Sequence, residues 1–364
     1  MQLKKIGLVT WHYYCNFGSA LQAYALQTYL LNQGFDAEFI NYRNEKYGRI
    51  SWNKEFVKST VSNIFMYSNG TIHNRLYYPF LSFRSNYLRE TRSIYDRKML
   101  PRNAKRYEAV ICGSDQIWAP NVFNEVYFLD FVPENVRKIS YAASIGLNYI
   151  PEDCIVKYRE LLKRFDFVSV REKAGEELLK EKCDIHAVTV LDPTLLLDID
   201  TWKKIEISAK EILEPYIFCY FLNSSNSYQE TIVEYAKKSG LKIIGISAKK
   251  DDMRWMNSAG NVGPCEFLNL IHRADVVFTD SYHGTIFSML YHKEFYLFER
   301  FSEADPVNQN SRIYQLDRWF DIKGRILKGH KKPTDCQALN YDRFENDLAS
   351  ARKISEEFLK EALG

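Results

Sequence analysis

A chain of 364 residues exceeds what one ordinary hydrophobic core serves and suits two domains of roughly 150–200 residues each. Its apolar fraction of 46% is that of a globular protein, and a net charge of only +3 gives no chain-wide electrostatic case for nucleic-acid binding. The seven cysteines are scattered and never spaced C-x-x-C, which argues against a zinc site or disulfide framework and favours a reducing compartment.

After Lys4-Lys5 only Ile6 to Trp11 is apolar, too short for a signal core. Nowhere do about 18 apolar residues run together, so a cytoplasmic protein is expected. Ile6-Gly7-Leu8-Val9-Thr10 reads as a buried strand, followed by the loop Trp11 to Gly18. A helix capped by Ser19 comes next, with Leu21, Tyr24, Ala25, Tyr29 and Leu30 near helical spacing and Gly34 as its stop signal. Phe35 to Tyr42 is a second strand, completing a parallel, right-handed crossover unit. Strands at 108–112, 139–144, 167–170 and 187–191, with helices at 152–164 and 172–181, extend a first doubly wound domain.

A second alternating set follows Pro215: strands at 216–221, 241–246, 276–279 and 295–298, and helices at 227–238, at 266–273 and from His283 onward. Apolar density falls between Asp200 and Pro215, which places the boundary there. The expectation is an α/β protein of two Rossmann-like doubly wound domains facing across a cleft, residues 1–207 and 208–341. The last helix, within 342–364, carries Phe344, Leu348, Ala351, Ile354, Phe358 and Ala362 on one stripe. By analogy with twin-Rossmann proteins it returns to the first domain.

The strongest local feature runs from Val276 to Phe287, where a buried strand ends in Asp280-Ser281-Tyr282-His283-Gly284 and a helix starts at once. Free N–H groups and the helix dipole there favour an anion such as phosphate. Gly284 allows close approach, Ser281 adds a hydroxyl, and His283 can donate to phosphate or move a proton. The bland reading is an ordinary capped helix with a surface histidine. Arg171 follows another buried strand, where its planar fork suits a carboxylate or phosphate, or forms a salt bridge to Glu172 or Glu176.

Three more strand ends point toward the same edge. Gly113-Ser114-Asp115-Gln116-Ile117-Trp118 offers a carboxylate, an amide and a stacking ring. Asn16-Phe17-Gly18-Ser19 opens the first helix, and Tyr141 to Gly146 leaves room around Ser144. Tight turns and packing explain each adequately, and neither a G-x-G-x-x-G fingerprint nor a Walker loop occurs. The stretch 75–106 mixes nine basic residues with Tyr and Phe. It is either a helix with a solvated basic face or a contact for a diphosphate or an anionic membrane surface.

In order along the chain, Asn16-Phe17-Gly18, Gly113 to Trp118, Tyr141 to Gly146, Ser169-Val170-Arg171-Glu172, Leu191-Asp192-Pro193-Thr194, Asp280 to Gly284 and Asn310-Ser311-Arg312 resemble the polysaccharide pyruvyl transferase family. The resemblance implies a glycosyltransferase-B-like pair of domains. It also implies transfer of the pyruvyl unit of phosphoenolpyruvate to sugar hydroxyls of a surface or capsular polysaccharide precursor, leaving a cyclic ketal and phosphate. His283 would then face the donor phosphate and Arg171 its acidic groups. Asp115 is the candidate base by its position at a strand edge alone. Asn16, Gly18, Gly113, Ser114, Ser144, Ser281, Tyr282, Gly284, Asn310 and Arg312 would surround the substrates. The acceptor is a sugar or lipid-linked saccharide, and neither a redox cofactor nor a metal is expected. Two departures bear on the acceptor side: Ser19 stands where many members have an acid, and Cys112-Gly113-Ser114 is poorer in glycine.

Two other functions suit this architecture, a nucleotide-sugar-dependent glycosyltransferase and a non-catalytic sugar-binding scaffold. Under the pyruvyl-transfer reading, His283→Ala and Arg171→Ala each abolish activity at little cost in stability, because strand-end loops seldom carry a core.

Overall fold

The computed structural model describes residues 3–42, 77–93, 95–208, 212, 214–302, 305, 308–329 and 331–364. In the first domain β1 (Lys5–Val9) leads into α1 (Phe17–Asn32) and β2 (Asp36–Phe39). Helices α2 (Tyr77–Tyr87) and α3 (Leu100–Ala104) precede β3 (Ala109–Cys112) and β4 (Arg137–Ser140). Then come α4 (Glu152–Leu162), β5 (Ser169–Val170), α5 (Lys173–Leu178), β6 (Val188–Thr189) and α6 (Ile199–Lys203). The sheet is parallel in the order β2-β1-β3-β4, and bridges Ile139–Phe167 and Ala143–Val170 set the β5–β6 pair beside β4. The strand expected to reach Ser144 stops at Ser140 because Ala142 turns to a positive φ of 50°.

The second domain holds β7 (Tyr216–Phe221), α7 (Asn226–Ser239), β8 (Lys242–Ser247), β9 (Asn257–Ser258) and α8 (Pro264–Arg273). It continues with β10 (Val276–Thr279), α9 (Tyr282–Leu290), β11 (Glu294–Phe298), α10 (Ser311–Phe320), β12 (Ile326–Leu327) and α11 (Tyr341–Leu363). Its sheet is parallel in the order β12-β11-β10-β7-β8-β9. Strand order reverses between β1 and β3 in one sheet and between β7 and β10 in the other. Such reversals open a crevice at the carboxyl ends of the strands, where ligands of open α/β sheets bind.

Helix α1 is buried on nearly every face, as expected of one caught between its own sheet and a second domain. Phe17 at its start stacks on Phe267 of α8 at 4.5 Å and meets Tyr220 edge-on at 5.5 Å. Trp202 abuts Phe287 of α9 at 4.9 Å. Burying each such ring contributes about 1.5–3 kcal/mol, so the domain contact is apolar rather than a wet hinge surface. Helix α11 starts on the second domain, with Phe344 against Phe320, and ends on the first, with Phe358 beside Tyr141 and Phe167. Arg137 Nη1 donates to Ala362 O at 2.7 Å there. Ile354, expected on the buried stripe, is exposed; Ser355 takes that place and accepts from Leu191 N.

Part of the basic stretch is neutralised within the protein. Arg84 makes a fork with Glu90, Arg97 pairs with Glu125 and Asp130, and Arg106 pairs with Glu38. Phe80, Phe83 and Tyr95 are buried beneath them. Arg75 lies outside the described residues. Among the described residues no helix is long and apolar enough to cross a membrane.

Candidate active site

The strand ends at both reversals open onto one cavity of about 870 Å³. The first domain contributes Trp11, Tyr13, Asn16, Ser19 and Asp115 to its wall, and the second contributes Tyr220, Tyr282, His283, Arg300 and Arg312.

His283 sits in the first turn of α9, whose N-cap Ser281 accepts from Gly284 N at 3.3 Å. Its imidazole lies over Gly18, so closely that a Cβ there would overlap Nδ1. Only glycine admits the ring at this point. His283 Nε2 stands 3.4 Å from Asp192 Oδ2, an ion-pair distance at which no hydrogen bond closes. The same Oδ2 accepts from Arg171 Nη1 at 2.9 Å, while Asp192 Oδ1 accepts from Thr194 N and Oγ1. Burial alone would raise the Asp192 carboxyl, but the charges of His283 and Arg171 and the Thr194 bonds hold it below the usual carboxylate range.

Arg171 is 1% exposed and is not part of the cavity wall. Its Nε donates to Glu172 Oε1 at 3.1 Å, and its guanidinium lies 4.5 Å over the Tyr282 ring, leaving Nη2 without a protein partner. Burial opposes its charge, but Glu172, Tyr282 and Asp192 more than offset that and raise it above the ordinary arginine value. The expected salt bridge to Glu172 is therefore present, and the guanidinium meets the imidazole through Asp192, one layer behind the cavity, rather than across open space. A buried ion-paired arginine also carries the core, so the expectation that its loss costs little stability is corrected.

Asp115 faces the cavity from the end of β3 with φ 75°, a strained value for a residue other than glycine, costing roughly 1–3 kcal/mol. Ser19 Oγ donates to its Oδ2, and Gln116 N to Oδ1 at 2.8 Å. Asn16, not Ser19, caps α1, accepting from Ser19 N at 3.0 Å, which leaves the Ser19 hydroxyl for Asp115.

Arg312 and Arg300 complete the wall. Among the described residues Arg312 donates only to Gln309, and the buried Arg300 Nε has no partner. Among the described residues neither has a carboxylate at ion-pair distance. Burial, with Arg300 and Arg171 nearby, pulls the Arg312 guanidinium down to about 9. Among the described residues the site thus holds two guanidiniums with no close ion pair, Arg300 acting on the Asp280 carboxyl only at longer range.

Of the residues read from sequence, His283, Asp115, Asn16, Ser281, Tyr282 and Arg312 line the cavity. The others stand behind it. Gly113, at φ 113°, lies against Tyr141 O, and Ser114 Oγ donates to Ala142 O at 2.7 Å. Ser144 Oγ holds Glu172 Oε1 at 2.7 Å, Gly284 makes space for the Thr279 hydroxyl, and Asn310 Nδ2 donates to Phe301 O. Trp118, expected as a stacking ring, is fully buried on Phe128 with its indole N–H on Tyr127 O. Trp11 lines the cavity instead. Sequence reasoning missed Trp11, Ser19, Asp192 and Arg300 as site residues; for Arg300 the available signal was a basic residue just past a predicted strand.

The family model for polysaccharide pyruvyl transferase matches residues 16–303, which is most of the chain. No curated protein matches the sequence. Among solved structures, the Neisseria meningitidis UDP-GlcNAc 2-epimerase bound to UDP-GlcNAc aligns with a TM-score of 0.51 at 11% identity, over 99% of this chain and 100% of that one. A Listeria monocytogenes protein assigned as a UDP-N-acetylglucosamine 2-epimerase aligns with a TM-score of 0.52 at 9% identity, over 98% and 91%. At such identities the likeness concerns the fold, which is glycosyltransferase-B-like.

Proposed function

The chain belongs to the polysaccharide pyruvyl transferase family, and from that premise we propose that it moves the pyruvyl unit of phosphoenolpyruvate onto a sugar of a surface or capsular polysaccharide precursor, forming a pyruvate ketal in the cytoplasm. One observation carries this reading: Arg312 and Arg300 face the cavity with no carboxylate at ion-pair distance among the described residues, next to His283 at a helix N-terminus. Unpaired buried cations are costly and are relieved by an anionic ligand. A donor bearing both phosphate and carboxylate supplies two such groups.

The chemistry divides between the walls. Protonation of the donor methylene carbon leaves an oxocarbenium-like centre at the adjacent carbon. One sugar hydroxyl adds there and gives up its proton to the base. The C–O bond then breaks with its electron pair leaving on phosphate, and a second hydroxyl adds to the resulting oxocarbenium-like carbon, its proton passing to the released phosphate as the ketal closes. His283, steadied by Asp192 and seated over Gly18, clamps the phosphate. Arg300 and Arg312 hold the remaining negative charge, and Asp115 accepts the proton of the attacking hydroxyl. Arg171 is assigned a positioning role, through Asp192 and Tyr282.

Incubating the pure protein with phosphoenolpyruvate and a panel of sugar acceptors tests this directly. Acceptor-dependent release of phosphate is the expected result. Turnover of a nucleotide-sugar with no consumption of phosphoenolpyruvate would instead establish the glycosyltransferase alternative.

A further inference from the structure

The cavity is segregated by charge. His283, Arg300 and Arg312 all belong to the second domain. Across from them the described first-domain lining is aromatic and amide: Trp11, Tyr13, Phe123, Asn121, Asn124 and Gln116, with the Asp115 carboxylate at its edge and no basic side chain. This aromatic wall is held in place from behind. Trp11 meets Tyr127 edge-on at 6.3 Å, Tyr13 OH lies 3.4 Å from Tyr127 OH, and Tyr127 is itself buried. Asn124 caps the turn that carries Tyr127, accepting from Val126 N. At about 870 Å³ the cavity lies toward the upper end of the ~300–1,000 Å³ usual for small-molecule sites, more than a three-carbon donor fills.

We propose that this wall, with Trp11 and Phe123 as its stacking faces, is the acceptor platform and selects an uncharged pyranose over an acidic one. The inference rests on the pyruvyl-transfer reading of the same cavity. A pyranose ring has one face of C–H groups, which carry slight positive charge and pack on the negative face of an aromatic ring. Its hydroxyls need donors and acceptors close by, which the amides of Gln116 and Asn121 supply. A uronic acid placed here would meet the Asp115 carboxylate with no cation among the described residues on its own side of the cavity. The hydroxyl to be modified would point toward Asp115 and the opposite wall.

Binding and turnover are measured separately. In saturation-transfer NMR with excess inorganic phosphate occupying the cationic wall, neutral methyl pyranosides are expected to receive saturation on their ring C–H protons from the wild-type protein, and methyl glucuronide is not. Trp11→Ala and Phe123→Ala are each expected to weaken that binding about tenfold, Trp11→Phe to restore most of it, and all three to melt near the wild-type temperature. In acceptor-dependent phosphate release, Trp11→Ala should raise the acceptor KM about tenfold and leave the KM for phosphoenolpyruvate unchanged. Equal or tighter binding of the glucuronide, no binding of any neutral pyranoside, or unchanged acceptor KM in both alanine variants overturns the platform. Neutral pyranosides that bind through Trp11 without any consumption of phosphoenolpyruvate would uphold the platform and remove the pyruvyl-transfer reading.

Discussion

The imidazole of His283 and the backbone of Gly18 come from different domains, yet they are in direct contact, with Nδ1 where a Cβ of residue 18 would be. The contact fixes the second domain's histidine relative to the first domain's helix α1, whose Phe17 also wedges between Tyr220 and Phe267.

Gly18→Ala should therefore act on catalysis through His283. Gly18 lies within a helix, so alanine is welcome to the backbone and the only conflict is with the ring. Displacing a positioned group by about 1 Å costs on the order of 10²-fold in rate. Phosphate-release kinetics alongside circular dichroism check this: kcat should fall by about that factor with the helix content unchanged. A variant as fast as wild type would mean that the ring does not work from this position.

Asp192 is the junction of the buried network, so Asp192→Asn should cost both stability and rate. The amide keeps the shape and the bond from Thr194 N, but it leaves Arg171 to Glu172 alone and removes the carboxylate facing His283. Weakening one side of a buried ion pair costs about 3 kcal/mol. The pH dependence follows from the depressed carboxyl. Its folded value lies below the unfolded value of about 3.9, so its contribution is complete above that value and is lost as pH falls toward the folded one. Between about pH 5 and 2 wild-type stability should decline more steeply than that of the variant. Urea unfolding at several pH values measures the difference; parallel declines would show that Asp192 is not the ionised hub.

Much of the fold was legible because strands, helices and their caps are local. The segment Val276 to Phe287 folds as read, as a strand ending where a helix begins. Position relative to the cavity was less legible, since it depends on which side chain the packing turns outward. Trp11 and Trp118 both follow predicted strands, but Trp118 stacks on Phe128 and Trp11 meets the open space. Arg171 was read from the end of a strand and Arg312 from the family resemblance, and nothing in the sequence told their pairing apart. Glu172 and Asp192, the latter far along the chain, claim one guanidinium and, among the described residues, no carboxylate claims the other. The partner of Ser19 was hidden for the same reason, because Asp115 reaches it only once β1 and β3 are paired.

Arg312→Gln should make the unliganded protein more stable and the donor weaker. The fold pulls the Arg312 value down to about 9, so it disfavours the charged form. At neutral pH that penalty is fully present, and it fades as pH rises above about 9. The variant should melt about 2 °C or more above wild type at pH 7, with the gap closing at alkaline pH. Adding phosphoenolpyruvate should raise the melting temperature of wild type and leave the variant unmoved. A variant that melts lower, and still responds to the donor, would place the anion elsewhere.

The last prediction concerns Asp115 and Ser19, which separate the base from the group that orients it. Asp115 faces the cavity, and one of its oxygens is taken by the Ser19 hydroxyl and the other by Gln116 N. If the carboxylate accepts the acceptor's proton, Asp115→Asn removes the acceptor site for that proton without changing shape, and kcat should fall by about 10²–10⁴ while donor affinity holds. Ser19→Ala keeps the carboxylate but frees its rotation, so a smaller loss of about tenfold in kcat is expected. Pre-steady-state phosphate release distinguishes chemistry from product release in both variants. Equal losses in the two would identify the pair as structural, holding the positive-φ turn at the end of β3; a loss confined to Asp115→Asn and graded as above assigns the proton to its carboxylate.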